Sequence, residues 1–297
     1  MGRPETRYAA APDGVRLAYQ VVGDGDLDLV FVMGWMTNVD AMWEEPRLAA
    51  FLDRLASSAR VIVIEKRGMG LSDRVPLDPA PSLATRVEDL LAVADAAGSR
   101  EAIVMGTSES GPLVTLYAAS HPDRTAGLIL DGARARYGEV ASDYPFGYPD
   151  DEFEAYTADT RERWATPALA AEWAAWIAPS RADDAPFAEW LASFMRRAGT
   201  GEAMAAFNHV SRTFDVRGVL GSIAGPTLVL SRTGDDVCPA DETAWLASRI
   251  PGARTAVFDG ADHAIWCGDA PGILDQIEAF AADVRARRPG STASRPG

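Results

Sequence analysis

Short runs of apolar, β-branched residues alternate along the chain with longer stretches in which apolar positions recur every three to four residues. Val15 to Val22 alternates behind an Asp13-Gly14 turn, so Thr6 to Val22 predicts an opening β-hairpin. Continuous apolar runs at Leu29–Met33, Val61–Ile64, Ala102–Met105, Gly127–Leu130, Thr227–Leu230 and Thr255–Phe258 predict strands buried on both faces. Between them, helical patterns run over Trp43–Ser57, Ser82–Ala97, Ser108–Ser120, Ala240–Arg249 and Ala270–Arg287, with Ser82 as an N-cap. A hairpin followed by repeated strand–helix units predicts an α/β fold. Its sheet would be mostly parallel, with one antiparallel edge and helices on both faces.

The alternation stops between residues 137 and 212, which carry no strand run and read as helices broken by Pro145, Pro149, Pro167, Pro179 and Pro186. That stretch holds Trp164, Trp173, Trp176 and Trp190, half of the eight tryptophans. Such density suits the core of a small subdomain, and it equally suits a helical lid with some rings turned toward a ligand. The lid is the preferred reading. The expected organisation is a core of residues 1–136 and 213–286, a helical cap at 137–212, and a flexible Pro/Gly/Ser-rich tail at 287–297.

The sharpest chemical signal is Gly106-Thr107-Ser108-Glu109-Ser110-Gly111, set between a buried strand and a helix. A turn this tight strains the central serine and needs small residues two positions to either side, which Gly106 and Ser110 provide. The pattern is the nucleophile elbow G-x-S-x-G with the final glycine replaced by serine, and it exposes the Ser108 hydroxyl at the carboxyl end of the sheet. Of the three histidines, His121 ends a helix and His209 lies where the helical segment returns to the sheet. His263, just after the strand at 255–258, falls where ligands and catalytic groups collect in open α/β sheets, and it is the candidate general base. Asp235 is the first choice for the carboxylate that orients it, with Asp236 and Asp131 as alternatives. The chain order Ser108, Asp235, His263 is the one expected of a triad on such a sheet. Gly34 lets the backbone after the 29–33 strand approach a substrate, making the amides of Trp35 and Glu109 candidate oxyanion donors. Gly34, Met36, Trp164, Trp176 and Trp266 are candidate pocket residues. Cys238 and Cys267 sit in loops near Asp235 and His263 and read as two unrelated thiols.

Composition narrows the partners. The 297 residues carry a formal net charge of −15, which argues against nucleic acid or an anionic membrane surface. No Cys/His cluster has zinc spacing, and neither a signal-peptide pattern nor a run approaching ~20 apolar residues occurs. The expectation is a cytoplasmic protein acting on a small molecule, without metal or organic cofactor, with a homodimer left open.

These features resemble the α/β-hydrolase superfamily from about Tyr8 to Ala286. Within it the chain looks most like bacterial hydrolase modules found beside or fused to nucleotide cyclases and regulators. The segments that carry the resemblance are Trp43-Glu-Glu-Pro-Arg-Leu48, Lys66-Arg-Gly-Met-Gly-Leu-Ser-Asp73, Ser108-Glu-Ser-Gly-Pro112 and Arg232-Thr-Gly-Asp235. The resemblance implies an eight-stranded sheet, a helical cap and hydrolysis of an ester-like bond. Met33 stands where the superfamily commonly has the histidine of a His-Gly oxyanion motif, and Ser108 sets the chain apart from branches that need a carboxylate nucleophile. The expected activity is a serine hydrolase acting on a small to medium apolar ester, lactone or thioester. Two alternatives stand beside it: a cofactor-free lyase, decarboxylase or acyl-transfer cyclase on the same triad, and a ligand-binding sensor module.

Overall fold

A computed structural model describes residues 3–288 except 77, 79 and 139. Most of the expected tail, residues 289–297, lies outside the described residues. Eight strands form one sheet: β1 (Thr6–Ala10), β2 (Arg16–Val22), β3 (Asp28–Val32), β4 (Arg60–Ile64), β5 (Ala102–Thr107), β6 (Thr125–Asp131), β7 (Thr227–Arg232) and β8 (Arg254–Phe258). Their spatial order is β1-β2-β4-β3-β5-β6-β7-β8. β2 pairs antiparallel with both β1 and β4, and every other pairing is parallel.

The continuous apolar runs have a simple cause. Alternate residues of each central strand enter two separate cores, because side chains on a strand point to opposite faces. Leu29, Phe31, Val61, Val63, Ile103 and Met105 face one side, where α1 (Pro46–Ser58) and α9 (Ala270–Arg287) cover them. Val30, Val32, Ile62, Ile64 and Val104 face the other, under α2 (Leu83–Ala96), α3 (Gly111–Ser120) and α8 (Ala240–Ala247). The first helix starts later than its periodicity suggests. Ala41–Glu44 forms a 3-10 turn, and α1 begins only at Pro46, where the Glu45 side chain accepts from the Leu48 amide at 2.7 Å.

Between β6 and β7 the chain leaves the sheet and builds α4 (Asp150–Arg163), α5 (Pro167–Ile177), α6 (Ala185–Ala198) and α7 (Gly201–Ser211). This four-helix insert packs into the same core as α1 and α9 through Leu169, Trp173, Phe187, Leu191 and Phe194. Polar contacts fix its position. The Ile177 carbonyl, at the end of α5, accepts from the amides of His263 and Ala264 at 2.9 and 2.8 Å. Arg181 Nη1 meets Glu45 Oε1 at 2.6 Å with both side chains buried.

A buried carboxylate that loses its cation is left uncompensated in a low-dielectric site. Arg181→Met is therefore expected to cost about 3–5 kcal/mol, read from the urea unfolding midpoint. A change below ~1 kcal/mol would mean that the pair is solvated in practice.

Candidate active site

β5 runs into a single 3-10 turn, Ser108–Ser110, before α3 begins at Gly111. Ser108 has φ +52°, a left-handed conformation that a residue with a Cβ adopts only under constraint. Crowding supplies the constraint. A Cβ at Gly106 would lie 2.6 Å from a Val114 methyl, and one at Gly34 would lie 2.5 Å from Ser108 Cβ. Two hydrogen bonds stitch the turn to the loop after β3: Ser110 Oγ donates to the Met33 carbonyl at 2.9 Å, and the Gly34 amide donates to Thr107 Oγ1 at 3.0 Å.

Trp35 follows Gly34 at φ +49°, with its indole N–H on Asn208 Oδ1 of α7 at 2.8 Å. Behind it lies Lys66, whose ammonium donates to Glu109 Oε2 at 2.6 Å and to the Trp35 carbonyl at 3.2 Å. Burial pushes the Lys66 pKa down, and the Glu109 carboxylate opposes that shift without cancelling it. One buried cation thus ties together Trp35 and Glu109, residues 74 positions apart in the chain.

Asp235 and His263 come from the loops that follow β7 and β8. His263 Nδ1 lies 2.8 Å from Asp235 Oδ2, and Asp235 Oδ1 accepts from the amides of Val237 and Cys238 at 2.9 and 3.0 Å. Burial alone would raise the Asp235 pKa. The hydrogen bond and charge of His263 and the two amides outweigh it, so the net shift is downward. His263 Nε2 is buried and has no hydrogen-bond partner among the described residues. Of the two alternative acids, Asp236 is exposed, and Asp131 is buried beside the pair without being the Nδ1 partner. Burial pushes Asp131 up to about 7, with Arg232 and His263 pulling the other way.

Some residues of this arrangement are hard to single out in the sequence. Gly132, at φ +50°, gives His263 its seat: a Cβ there would lie 3.0 Å from His263 Cε1. Arg232 braces the His263 loop by donating to the carbonyls of Asp262, Ile265 (3.2 Å) and Cys267 (2.8 Å). The other histidines are elsewhere. His121 stacks on Tyr117 at the end of α3, and His209 packs edge-on against Phe153. Cys238 and Cys267 are free and buried, and burial raises both thiols, Cys267 to about 11.

Ser108, Glu109, Trp35 and His263 line one cavity of about 380 Å³ between the sheet and the insert. Gly34, Met36, Trp176 and Trp266 are on its wall, as are Tyr156 and Trp173. Trp164 is not a wall residue. Its N–H bonds the carbonyls of Met195 and Gly199, at 3.1 and 3.0 Å, which turns the ring behind Trp35 and Trp173 at centroid distances of 5.5 and 5.6 Å. Among the described residues no cluster of His, Cys, Asp or Glu could hold a metal ion, and no helix is long and apolar enough to cross a membrane.

An eight-stranded sheet whose parallel strands cross over at β3, with a strained serine turn after β5 and an acid and a histidine after β7 and β8, is the architecture of an α/β hydrolase. Residues 29–266 match the family model described as alpha/beta hydrolase fold, and the chain belongs to that family. Its relatives are named as enzymes. One is the pimeloyl-[acyl-carrier protein] methyl ester esterase of Yersinia enterocolitica, 25% identical over 255 residues, covering 84% of this chain and 91% of that protein. Another is the 2-hydroxymuconate semialdehyde hydrolase of Pseudomonas putida, 28% identical over 249 residues, covering 78% and 80%. In fold the chain is similar to an esterase of Exiguobacterium antarcticum, with a TM-score of 0.80 at 23% identity, covering 94% of this chain and all of that one.

The raised Asp131 pKa makes stability depend on pH in a definite direction. An aspartate titrates near 3.8 in the unfolded chain and near 7 here, so between those values the native state holds a proton that the unfolded state has released. That contribution is complete below pH ~4 and is lost as the pH rises through ~7. Asp131→Asn removes the loss. Between pH 5 and 8 its unfolding free energy is expected to fall by about 2–3 kcal/mol less than that of the wild type. Equal falls in parallel urea titrations would rule out a native-state proton on Asp131.

Proposed function

We propose that the protein is a serine hydrolase that cleaves the carboxylic ester, lactone or thioester of a small to medium, largely apolar substrate through an acyl-enzyme. The observation that carries this reading is the state of His263. Its Nδ1 is committed to Asp235 at 2.8 Å, while its Nε2 has no hydrogen-bond partner among the described residues, in a ring that lines the same cavity as Ser108. A base needs one nitrogen held and the other available to take a proton.

In the proposed reaction Ser108 Oγ attacks the carbonyl carbon as its proton passes to His263 Nε2. Asp235 holds the imidazole in the right tautomer and stabilises the imidazolium that forms. The amides of Trp35 and Glu109 receive the oxyanion, each such donor being worth roughly 3–4 kcal/mol. His263 then protonates the leaving group, and water delivered through the same base hydrolyses the acyl-Ser108 ester. Lys66 supports the donors, because it holds the carbonyl of one donor residue and the side chain of the other. The mostly aromatic and aliphatic wall of the cavity supports an apolar substrate body.

Treatment with a small fluorophosphonate followed by intact-mass measurement tests the reading. One adduct is expected on the wild type and none on Ser108→Ala; an unmodified wild type would count against an activated Ser108. Asp235→Asn should lower kcat on short aliphatic esters by about 10³–10⁴-fold. Loss of less than tenfold would remove Asp235 from the machinery.

A further inference from the structure

In a cavity walled mainly by carbon, one buried guanidinium is incompletely partnered. Arg134 lies three residues beyond β6, is 4% exposed, and lines the same cavity as Ser108. Its Nη2 donates to the Tyr148 hydroxyl at 2.9 Å and to the Val237 carbonyl. Nε faces Glu242 Oε2 at 3.5 Å, too far for a good hydrogen bond, and that oxygen has no hydrogen-bond partner among the described residues. Among the described residues, the hydrogen bonds of this guanidinium come from Nη2. The rings of Tyr137 and Tyr148 lie 5.6 and 4.8 Å from the guanidinium carbon, and both belong to the cavity wall.

This buried ion-pair partner, Glu242, is also a weak counter-charge. Burial pushes Glu242 up to about 7, and its other oxygen accepts from the Tyr144 hydroxyl. Near neutral pH Glu242 therefore carries only part of a charge. A buried cation with such a partner is costly, and it is stabilised by an anion that brings two acceptor oxygens to the guanidinium. The planar fork of the guanidinium suits a carboxylate, which can take two parallel N–H donors.

We propose that Arg134 binds a carboxylate carried on the apolar body of the substrate, remote from the carbonyl that reacts. The preferred substrates are then esters, lactones or thioesters whose carbon skeleton carries one carboxylate, as in the half-ester of a dicarboxylic acid. This rests on the serine-hydrolase reading for the reacting end alone. The carboxylate subsite stands on the Arg134 surroundings.

The test pairs monomethyl adipate with methyl 6-methylheptanoate, in which an isopropyl group replaces the carboxylate. A third ester, 6-acetoxyhexanoate, carries the carboxylate on the alcohol side. Calorimetric titration into Ser108→Ala is expected to give at least tenfold tighter binding for one of the two charged esters than for the neutral one, and the tighter of the two shows which side of the ester faces Arg134. Adding Arg134→Gln should reduce that preference by about 10–100-fold, the range for a hydrogen-bonded charge. Arg134→Lys should retain part of it. Equal or tighter binding of the neutral ester to Ser108→Ala, or a preference unchanged by Arg134→Gln in a variant whose thermal unfolding remains cooperative, overturns the proposal. If Arg134→Gln does not fold, the preference in Ser108→Ala and in the Lys variant decides. Turnover by the wild type separates the two readings: no hydrolysis of any ester, with the binding preference intact, sinks the hydrolase reading and leaves the carboxylate subsite standing.

Discussion

A single residue with a Cβ held at φ +52° sets the terms for the whole carboxyl end of the sheet. Backbone of that kind costs of order 1–3 kcal/mol and relaxes unless its surroundings forbid it. Here they do. Strand β5 fixes one side of Ser108, α3 fixes the other, and Gly34 comes so close that even a methyl would strike the Ser108 side chain. The hydrogen bond from Ser110 to the Met33 carbonyl then couples the turn to the neighbouring strand. The loops after β3, β7 and β8 are arranged around a point that the backbone cannot vacate without disturbing both hydrophobic cores.

Buried charge does the rest of the positioning. Lys66 joins the loop after β3 to the residue that follows Ser108, and Arg232 gathers three carbonyls of the loop that carries His263. Ion pairs of this kind are poor evidence for stability, since desolvation offsets much of the attraction. Their value lies in direction: a guanidinium with several carbonyl partners permits one loop conformation. The insert extends this logic, because the Ile177 carbonyl takes the amides of His263 and Ala264 and so fixes the histidine loop from above.

Much of this was legible in the sequence, for identifiable reasons. Strands covered on both faces read as unbroken apolar runs, so their order along the chain was clear, with ends displaced by one or two residues where the last pairs of the ladder carry polar side chains, as at Thr107 and Arg232. Small residues around Ser108 marked the turn because sterics allow little else there. His263 stood out because the chain has three histidines and only one follows a strand at the carboxyl edge. Contacts between distant positions were not legible. Nothing near Lys66 in the sequence points to Glu109, and the Arg134-Ala-Arg136 segment does not announce which guanidinium turns inward. Trp164 marks the same boundary. Aromatic density predicted a wall, but the side of the wall a ring occupies is decided by where its N–H finds an acceptor, and for Trp164 those acceptors lie behind it.

The aromatic stack also removes a freedom often assumed in enzymes with an inserted helical segment, that the pocket can be reshaped while the site beneath stays fixed. Trp35 packs on Trp173 at 4.4 Å, on Trp164 at 5.5 Å and on Tyr156 at 6.3 Å, and its N–H is held by Asn208, so all four of these partners belong to the insert. The same residue lies next to Gly34 in the loop pressed against Ser108, and its amide is the proposed oxyanion donor. A substitution at Trp173 that enlarges the pocket therefore also removes one of the rings packed on Trp35, the residue that carries that amide. Pocket shape and donor geometry are two readouts of one packed cluster. On the proposed mechanism, substrate range is coupled to rate through the loop that carries Trp35 and not through the serine itself.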